Sequence, residues 1–348
     1  MASYRKIIES PTAWVGPKIQ NDLTWILNLE EWAISEVDGA LRNAIKNNIK
    51  IPFDKSSFDL PRLGLLLDQV LNEVENGRGF QMIRGIPRNR YSDAECAIIY
   101  WGICNYLGSG IAQNSYGHYI VHVRDEGSIF SDHRVRGYLN RKKMDFHTDL
   151  LPVDVLGLFC LRRARYGGTS KVVSALTIHN ILLSENPDLL DTLYSIYTMD
   201  WRGEEPTGER LWYRLPMFSE KDGNVTSRIV TRSHCETCAR FGEEYRLSDA
   251  QREALDLVQE IANRPELMLT LEFQEGDMQF INNHTLLHAR EEYEDYDDPA
   301  MKRNLMRMWI AVNESRRRPL HHSLAERYKI VLNGGIPKKI PNDPALVP

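Results

Sequence analysis

The strongest constraint on how this 348-residue chain can fold is a change of hydrophobic period about a third of the way along it. Early on, apolar residues recur at helical spacing: Leu63, Leu66, Leu67, Val70, Leu71 and Val74 follow Pro61, a residue suited to a helix's first turn. Ser92 and Glu95 have capping-box spacing in front of AIIYWGICNYL, and Gly108 is placed to stop that helix. Between the two, GFQMIRGIP reads as a strand. Later the apolar runs are short and end in glycine. VLGLFCLRRA leads to Gly167-Gly168, LMLTLEF leads to Gly276-Asp277, MQFIN follows at once, and NLMRMWIAV is the last strand. One more helix, from about Asp249 to Ala262, opens on a second capping box made by Ser248 and Gln251. Helices first and short strands after them predict an α+β fold built on an antiparallel sheet or barrel. No internal repeat or Gly/Ser-rich linker interrupts the chain. The expectation is therefore one domain over residues 1–348, mostly helical at its N-terminal end, with an irregular tail from about residue 316.

Composition narrows the functions. The 48 acidic and 43 basic residues leave a net charge of −5, which argues against nucleic acid or an anionic membrane as partner. The five cysteines, Cys96, Cys104, Cys160, Cys235 and Cys238, are an odd number that suits a reducing compartment. No apolar run could span a membrane, and MASYRKIIESP lacks the apolar stretch of a signal peptide, so a cytoplasmic location is expected.

The segment DFHTDL sets His147 and Asp149 two residues apart. On a strand they share a face and can reach one metal, while Thr148 points away. Alone this is weak, because chance supplies one or two His-x-acid pairs to such a chain, and His234 with Glu236 is another. Further features converge on it. Gly167-Gly168 is followed by Thr169 and Ser170, and GDMQFINNHTLLHAR delivers His288 just after a strand. Two histidines and one carboxylate on one face of an iron leave positions open for an oxidant and a cosubstrate. A closed structural zinc site would want a fourth protein ligand.

In RNLMRMW, alternation puts Arg303, Leu305, Arg307 and Trp309 on one face and Asn304, Met306, Met308 and Ile310 on the other. Apolar residues on both faces predict a strand buried on both, and a buried guanidinium needs an anion. The chain can supply it as a structural salt bridge. The alternative is a dicarboxylate cosubstrate, and an anionic substrate with it, gripped through arginine's bidentate fork.

The order His-Thr-Asp, Gly-Gly-Thr-Ser, Gly-Asp before Asn-Asn-His-x-x-x-His, and Arg-x-x-x-Arg resembles the taurine dioxygenase (TauD/TfdA-like) family of Fe(II)/2-oxoglutarate oxygenases, over about Gly108 to Ile310. The resemblance implies a double-stranded β-helix (jelly-roll) core with flanking helices. It also implies Fe(II), with 2-oxoglutarate and O2 as cosubstrates. His147, Asp149 and His288 fall on the family's iron ligands. Ser170, or Thr169 beside it, and Arg303 fall on the residues that bind the 2-oxoglutarate carboxylate. Arg307 falls on a substrate-binding arginine, and Asn114 and His118 lie in a region where the taurine enzyme has a substrate-binding histidine. The stretch from Asp149 to the Gly-Gly turn is slightly short, and the acidic loop EEYEDYDDPAMK before Arg303 is slightly long. By this resemblance the chain oxidises an unactivated C–H bond of a small polar molecule, such as an amino acid, sulfonate or secondary metabolite. Hydroxylation, desaturation and cyclisation are all open to it, with succinate and CO2 as co-products. The partner is a small-molecule substrate, with assembly as a homo-oligomer left open.

Other features read blandly. Cys235-Glu-Thr-Cys238 is a lone C-x-x-C without a second pair, expected in a surface loop. Arg316 to Arg318 reads as a solvated charge run. His284 lies four residues before His288, but no glutamate follows it as in a helical zinc-protease motif, so His288 is kept as the ligand. Two other functions compete. A jelly-roll metal-dependent hydrolase or isomerase would use the triad without needing Arg303 and Ser170, and a non-catalytic metabolite-binding protein would not need an intact triad.

Overall fold

The computed structural model describes residues 5–127, 137–206 and 208–338. Both capping boxes form as the sequence predicts. The Ser92 hydroxyl accepts the Glu95 amide while Glu95 accepts the Ser92 amide, opening the helix Asp93–Cys104. Ser248 and Gln251 open Asp249–Ala262 in the same way. Each such cap contributes on the order of 1 kcal/mol.

Two antiparallel sheets make the jelly-roll core. The larger runs Ile26–Asn28, Phe80–Arg84, Met278–Asn282, Val155–Arg162, Asn304–Ala311, Ser109–Ile111, and Ile120–Val123 also pairs with Asn304–Ala311. Only its first pair is parallel. The smaller runs Leu269–Leu271, Ser170–Ser174, Leu286–Arg290, Met144–His147.

Every residue of Asn304–Ala311 is buried, because the larger sheet is covered on both faces. Met306, Met308 and Ile310 pack with Phe159 and Phe280 against the helices Glu31–Lys46, Leu63–Asn76 and Asp93–Cys104. Leu305 and Trp309 join the other cluster, with Leu156, Val172 and Leu287, between the two sheets. The alternation read from the sequence therefore holds, and it aims Arg303 and Arg307 into the space between the sheets.

Two expectations fail at the C-terminal end. The tail is not irregular from 316: His322–Leu332 is a helix whose Leu324, Tyr328 and Val331 are buried in the core. Their i, i+4, i+7 spacing carries the helical signal, but neighbouring prolines and basic residues obscure it. Nor is Arg316 to Arg318 a solvated run. Arg316 pairs with Glu75 and Asp68, and Arg318 donates to the Val225 carbonyl. The last prolines of the tail lie outside the described residues. No helix among the described residues is long and apolar enough to cross a membrane.

Burial pushes His179 and His284 down to about 4 from the ordinary 6.5. The unfolded chain therefore takes up protons first. The stability these groups lend is complete above about pH 6.5 and is lost as pH falls toward about 4. The urea midpoint should drop between about pH 7.5 and about pH 5, and His179→Gln, neutral at both, should drop less. An equal drop in the variant would show that His179 is not held neutral.

Candidate active site

His147 ends its strand directly opposite His288, their rings 4.3 Å apart between centroids. Asp149 lies just beyond the strand. Thr148 turns away, giving its amide (2.8 Å) and hydroxyl (3.2 Å) to the Ile229 carbonyl, so His147 and Asp149 share a side. One ligand atom from each of His147, Asp149 and His288 lies within 4.8 Å of the others. The donor chemistry fits a divalent metal. Burial lowers the pKa of both imidazoles, His288 to about 3, and keeps them as neutral lone-pair donors. His147 Nδ1 donates to the Asp145 carbonyl at 2.8 Å, which leaves Nε2 for the metal. His284 takes no part. It is bonded to Asp154 at 3.1 Å.

Asp149 is 4% exposed and held from four sides. Its carboxylate accepts the Trp309 indole N–H and faces the Arg307 guanidinium at 3.3 Å. Burial alone would raise its pKa, but the Arg307 cation and the Trp309 hydrogen bond bring it below the usual carboxylate value. Its amide donates to Asn283 Oδ1 at 2.8 Å. Arg228, 1% exposed and invisible as a site residue in the sequence, donates to the carbonyls of Asp149, Leu150, Leu151 and Asn283.

Next to the triad is a cavity of about 50 Å3 lined by His147, His288, Ser170, Gln279, Arg290 and Arg303. Arg303 is 4% exposed; its guanidinium donates to the Val123 carbonyl at 3.3 Å and lies over the Tyr293 ring. Arg290, also buried, gives one nitrogen to the carbonyls of Asn140 and Lys142, while its Nε and Nη1 have no hydrogen-bond partner among the described residues. Neither arginine forms an ion pair among the described residues, and burial pushes both guanidinium pKa values down, Arg290 to about 10. Arg290 escaped sequence reasoning, yet it stands two residues after His288 on the same strand face, which is the signal that finds it.

Ser170 enters this cavity and Thr169 does not, because its exposed hydroxyl donates to Glu272 at 2.6 Å. The Gly-Gly turn has a reason. Gly167 and Gly168 have φ of 72° and 74°, and a Cβ on Gly167 would meet the Glu292 carbonyl at 2.4 Å. Arg307 differs from Arg303 in having a carboxylate partner within the chain, Asp149, and it also donates to Gln113 Oε1 at 2.8 Å.

A second cavity, about 330 Å3, opens on the other side of His147 and Arg307, walled by Gln113, Tyr138, Met144, Arg202, Val230 and His234 among others. Asn114 and His118 do not line it. The Asn114 side chain accepts the amides of Tyr116 and His118 and faces the His118 ring, closing the loop on itself, and Gln113 reaches inward instead. The C-x-x-C is not on a surface loop. Both thiols are buried, Cys238 Sγ donates to the Thr198 carbonyl, and burial pushes Cys238 up to about 12.

The chain matches the family described as "Taurine catabolism dioxygenase TauD, TfdA family" over residues 43–309. It belongs to that family. The Fe(II)- and 2-oxoglutarate-dependent dioxygenase class implied by the motifs follows from this membership. Among curated TauD/TfdA relatives, FR-33289 synthase of Streptomyces rubellomurinus (strain ATCC 31215) is 31% identical over 320 residues, 90% of this chain and 93% of that protein. Taurine hydroxylase-like protein SAT17 of Stachybotrys chartarum is 30% identical over 307 residues, 85% of this chain and 77% of that one. Of solved structures, an asparagine oxygenase with Fe(II), 2S,3S-3-hydroxyasparagine and succinate has a TM-score of 0.63 at 14% identity, covering 86% of this chain and 98% of that one. The non-heme iron oxygenase OrfP with Fe and alpha-ketoglutaric acid has a TM-score of 0.58 at 17% identity, with the same coverage. At such identities the two structures speak for the jelly-roll fold.

Removing a partner that orients a metal ligand typically weakens metal binding about 10- to 100-fold. Arg228→Met and Asn283→Ala are each expected to weaken anaerobic Fe(II) binding by that order, measured by titration calorimetry on protein whose circular dichroism is unchanged. Folded variants that bind Fe(II) as tightly as the parent would show that these residues stabilise the fold without placing Asp149.

Proposed function

We propose that this dioxygenase hydroxylates an unactivated C–H bond of a small polar molecule held in the 330 Å3 cavity. His147, Asp149 and His288 hold the Fe(II). Arg303 and Ser170, with Arg290 beside them, take the distal carboxylate of 2-oxoglutarate in the smaller cavity. The observation that carries this reading is Arg303: a buried cation without a carboxylate partner among the described residues, in a cavity bounded by two of the triad residues. A carboxylate beside it would offset the cost of burying that charge, and a dicarboxylate brings one end to the arginine and the other to the metal.

Bound there, Fe(II) and 2-oxoglutarate supply with O2 the oxidising power that C–H cleavage demands, leaving succinate and CO2. The protein's own residues place and shield. Asp145 fixes the His147 ring, and Trp309 and Arg307 fix Asp149. Met144, Leu150 and Val230 give the substrate cavity an apolar wall, while Arg202, Glu204 and Thr231 offer polar contacts that orient a small polar molecule. The hydroxylated amino acids bound to the asparagine oxygenase and to OrfP support hydroxylation as the outcome. Arg307 is assigned to bracing Asp149 and bordering both cavities, since its guanidinium is already paired there.

Taking a charged partner from a buried carboxylate costs about 2–5 kcal/mol, roughly tens- to thousands-fold in affinity. Arg303→Met should therefore raise the KM for 2-oxoglutarate by at least about tenfold. The assay is O2-dependent succinate formation from 2-oxoglutarate, with and without candidate substrates. An unchanged KM in Arg303→Met would remove the main support for this cosubstrate site.

A further inference from the structure

A third cavity, of about 490 Å3, shares no lining residue with the two at the triad. One wall is the turn before the His288 strand, through Asn282, His284 and Thr285. Another is the stretch Arg316, Arg317, Arg318 that follows the strand Asn304–Ala311. Acidic residues line it as well, so the pairing decides its charge. Arg316 is matched by Glu75 at 2.6 Å and Asp68 at 2.9 Å. Asp154 is engaged by His284 Nε2, the Val312 amide and the Tyr328 hydroxyl. Glu9 is exposed.

That leaves Arg317 and Arg318. Arg317 lies over the Tyr328 ring, its guanidinium carbon 4.6 Å from the centroid, and Arg318 donates to the Val225 carbonyl at 3.0 Å. Among the described residues neither has a carboxylate within ion-pair distance. The Nε atoms of both are buried without a hydrogen-bond partner among the described residues. So are the Thr285 hydroxyl and His284 Nδ1, on residues only 4% and 1% exposed. With Nε2–H given to Asp154, a neutral His284 keeps Nδ1 as an acceptor.

We propose that this cavity is a second ligand site, one for a phosphate-type oxyanion. Arg317, Arg318 and Thr285 are its donors, and His284 Nδ1 accepts from an oxygen that keeps its proton. Two cations lacking carboxylate partners, a hydroxyl and one acceptor match hydrogen phosphate, either free or as the monoester end of a small metabolite. The site is independent of the reaction chemistry, since none of these residues touches the triad cavities.

The test is thermal unfolding of the Fe(II)-loaded protein without O2, with 2-oxoglutarate saturating so that Arg303 is occupied. Inorganic phosphate and glycerol phosphate are the probes, each against chloride at equal ionic strength. The expected result is a saturable rise in Tm with inorganic phosphate beyond that of chloride. Arg317→Met, Arg318→Met and Thr285→Val should each shift the half-saturating concentration upward by about tenfold or more. A matching rise with glycerol phosphate points to a metabolite's phosphate group, and a rise with inorganic phosphate alone points to the free ion. Should Arg318→Met not fold, Arg317→Met and Thr285→Val carry the test. A wild-type response no greater than that to chloride overturns the proposal, as does an undiminished response in Arg317→Met and Thr285→Val.

Discussion

Asp149 sits where the two sheets meet, and the rest of the site depends on how it is held. Its carboxylate is fixed by Trp309 and Arg307, both on the inner face of the strand Asn304–Ala311 of the larger sheet. Its backbone is fixed by Asn283, in the turn that leads into the His288 strand of the smaller sheet, and by Arg228. One acidic side chain thus ties the larger sheet's arginine to the smaller sheet's histidines. A shift between the sheets would separate the ligand atoms that now lie within 4.8 Å of one another. Burying such a carboxylate is tolerable because the Trp309 N–H and the Arg307 cation both meet it.

Charge compensation then divides the buried arginines by role. Arg228 is spent on backbone carbonyls and Arg307 on Asp149, so each is satisfied inside the chain. Arg303 and Arg290 differ, since the described residues offer neither a carboxylate. The contrast between neighbours on one strand face, Arg307 paired with a carboxylate and Arg303 not, is what supports the proposed division between a brace for Asp149 and a receptor for an anion brought from outside. Sequence reasoning gave both arginines to ligands. The proposed function keeps that reading for Arg303 and, because Arg307 already pairs with Asp149, gives Arg307 a bracing role.

Much of this was legible in the residues because local rules and the fold agree. The capping boxes at Ser92 and Ser248 formed, and alternation in RNLMRMW correctly sent Arg303, Leu305, Arg307 and Trp309 inward. The His147–Asp149 spacing worked because Thr148 finds the Ile229 carbonyl on the other side. What was not legible depends on contacts between distant segments. Arg228 reaches Asp149 only through tertiary packing, and no local pattern marks it. Thr169 and Ser170 are adjacent, and only the strand register opposite Arg290 shows which one points inward. Asn114 and His118 satisfy each other within their own loop, a local solution that a functional expectation overlooks.

The central claim is that one iron is held by His147, Asp149 and His288 and by nothing else in the chain. Anaerobic Fe(II) titration with metal analysis tests it most directly, on the parent, on Asp149→Ala, and on the double variant Cys235→Ser with Cys238→Ser. The account predicts one tightly bound Fe(II) per chain in the parent and the cysteine variant, and its loss in Asp149→Ala. Tight, stoichiometric Fe(II) binding that survives in Asp149→Ala but disappears with the cysteines would contradict it.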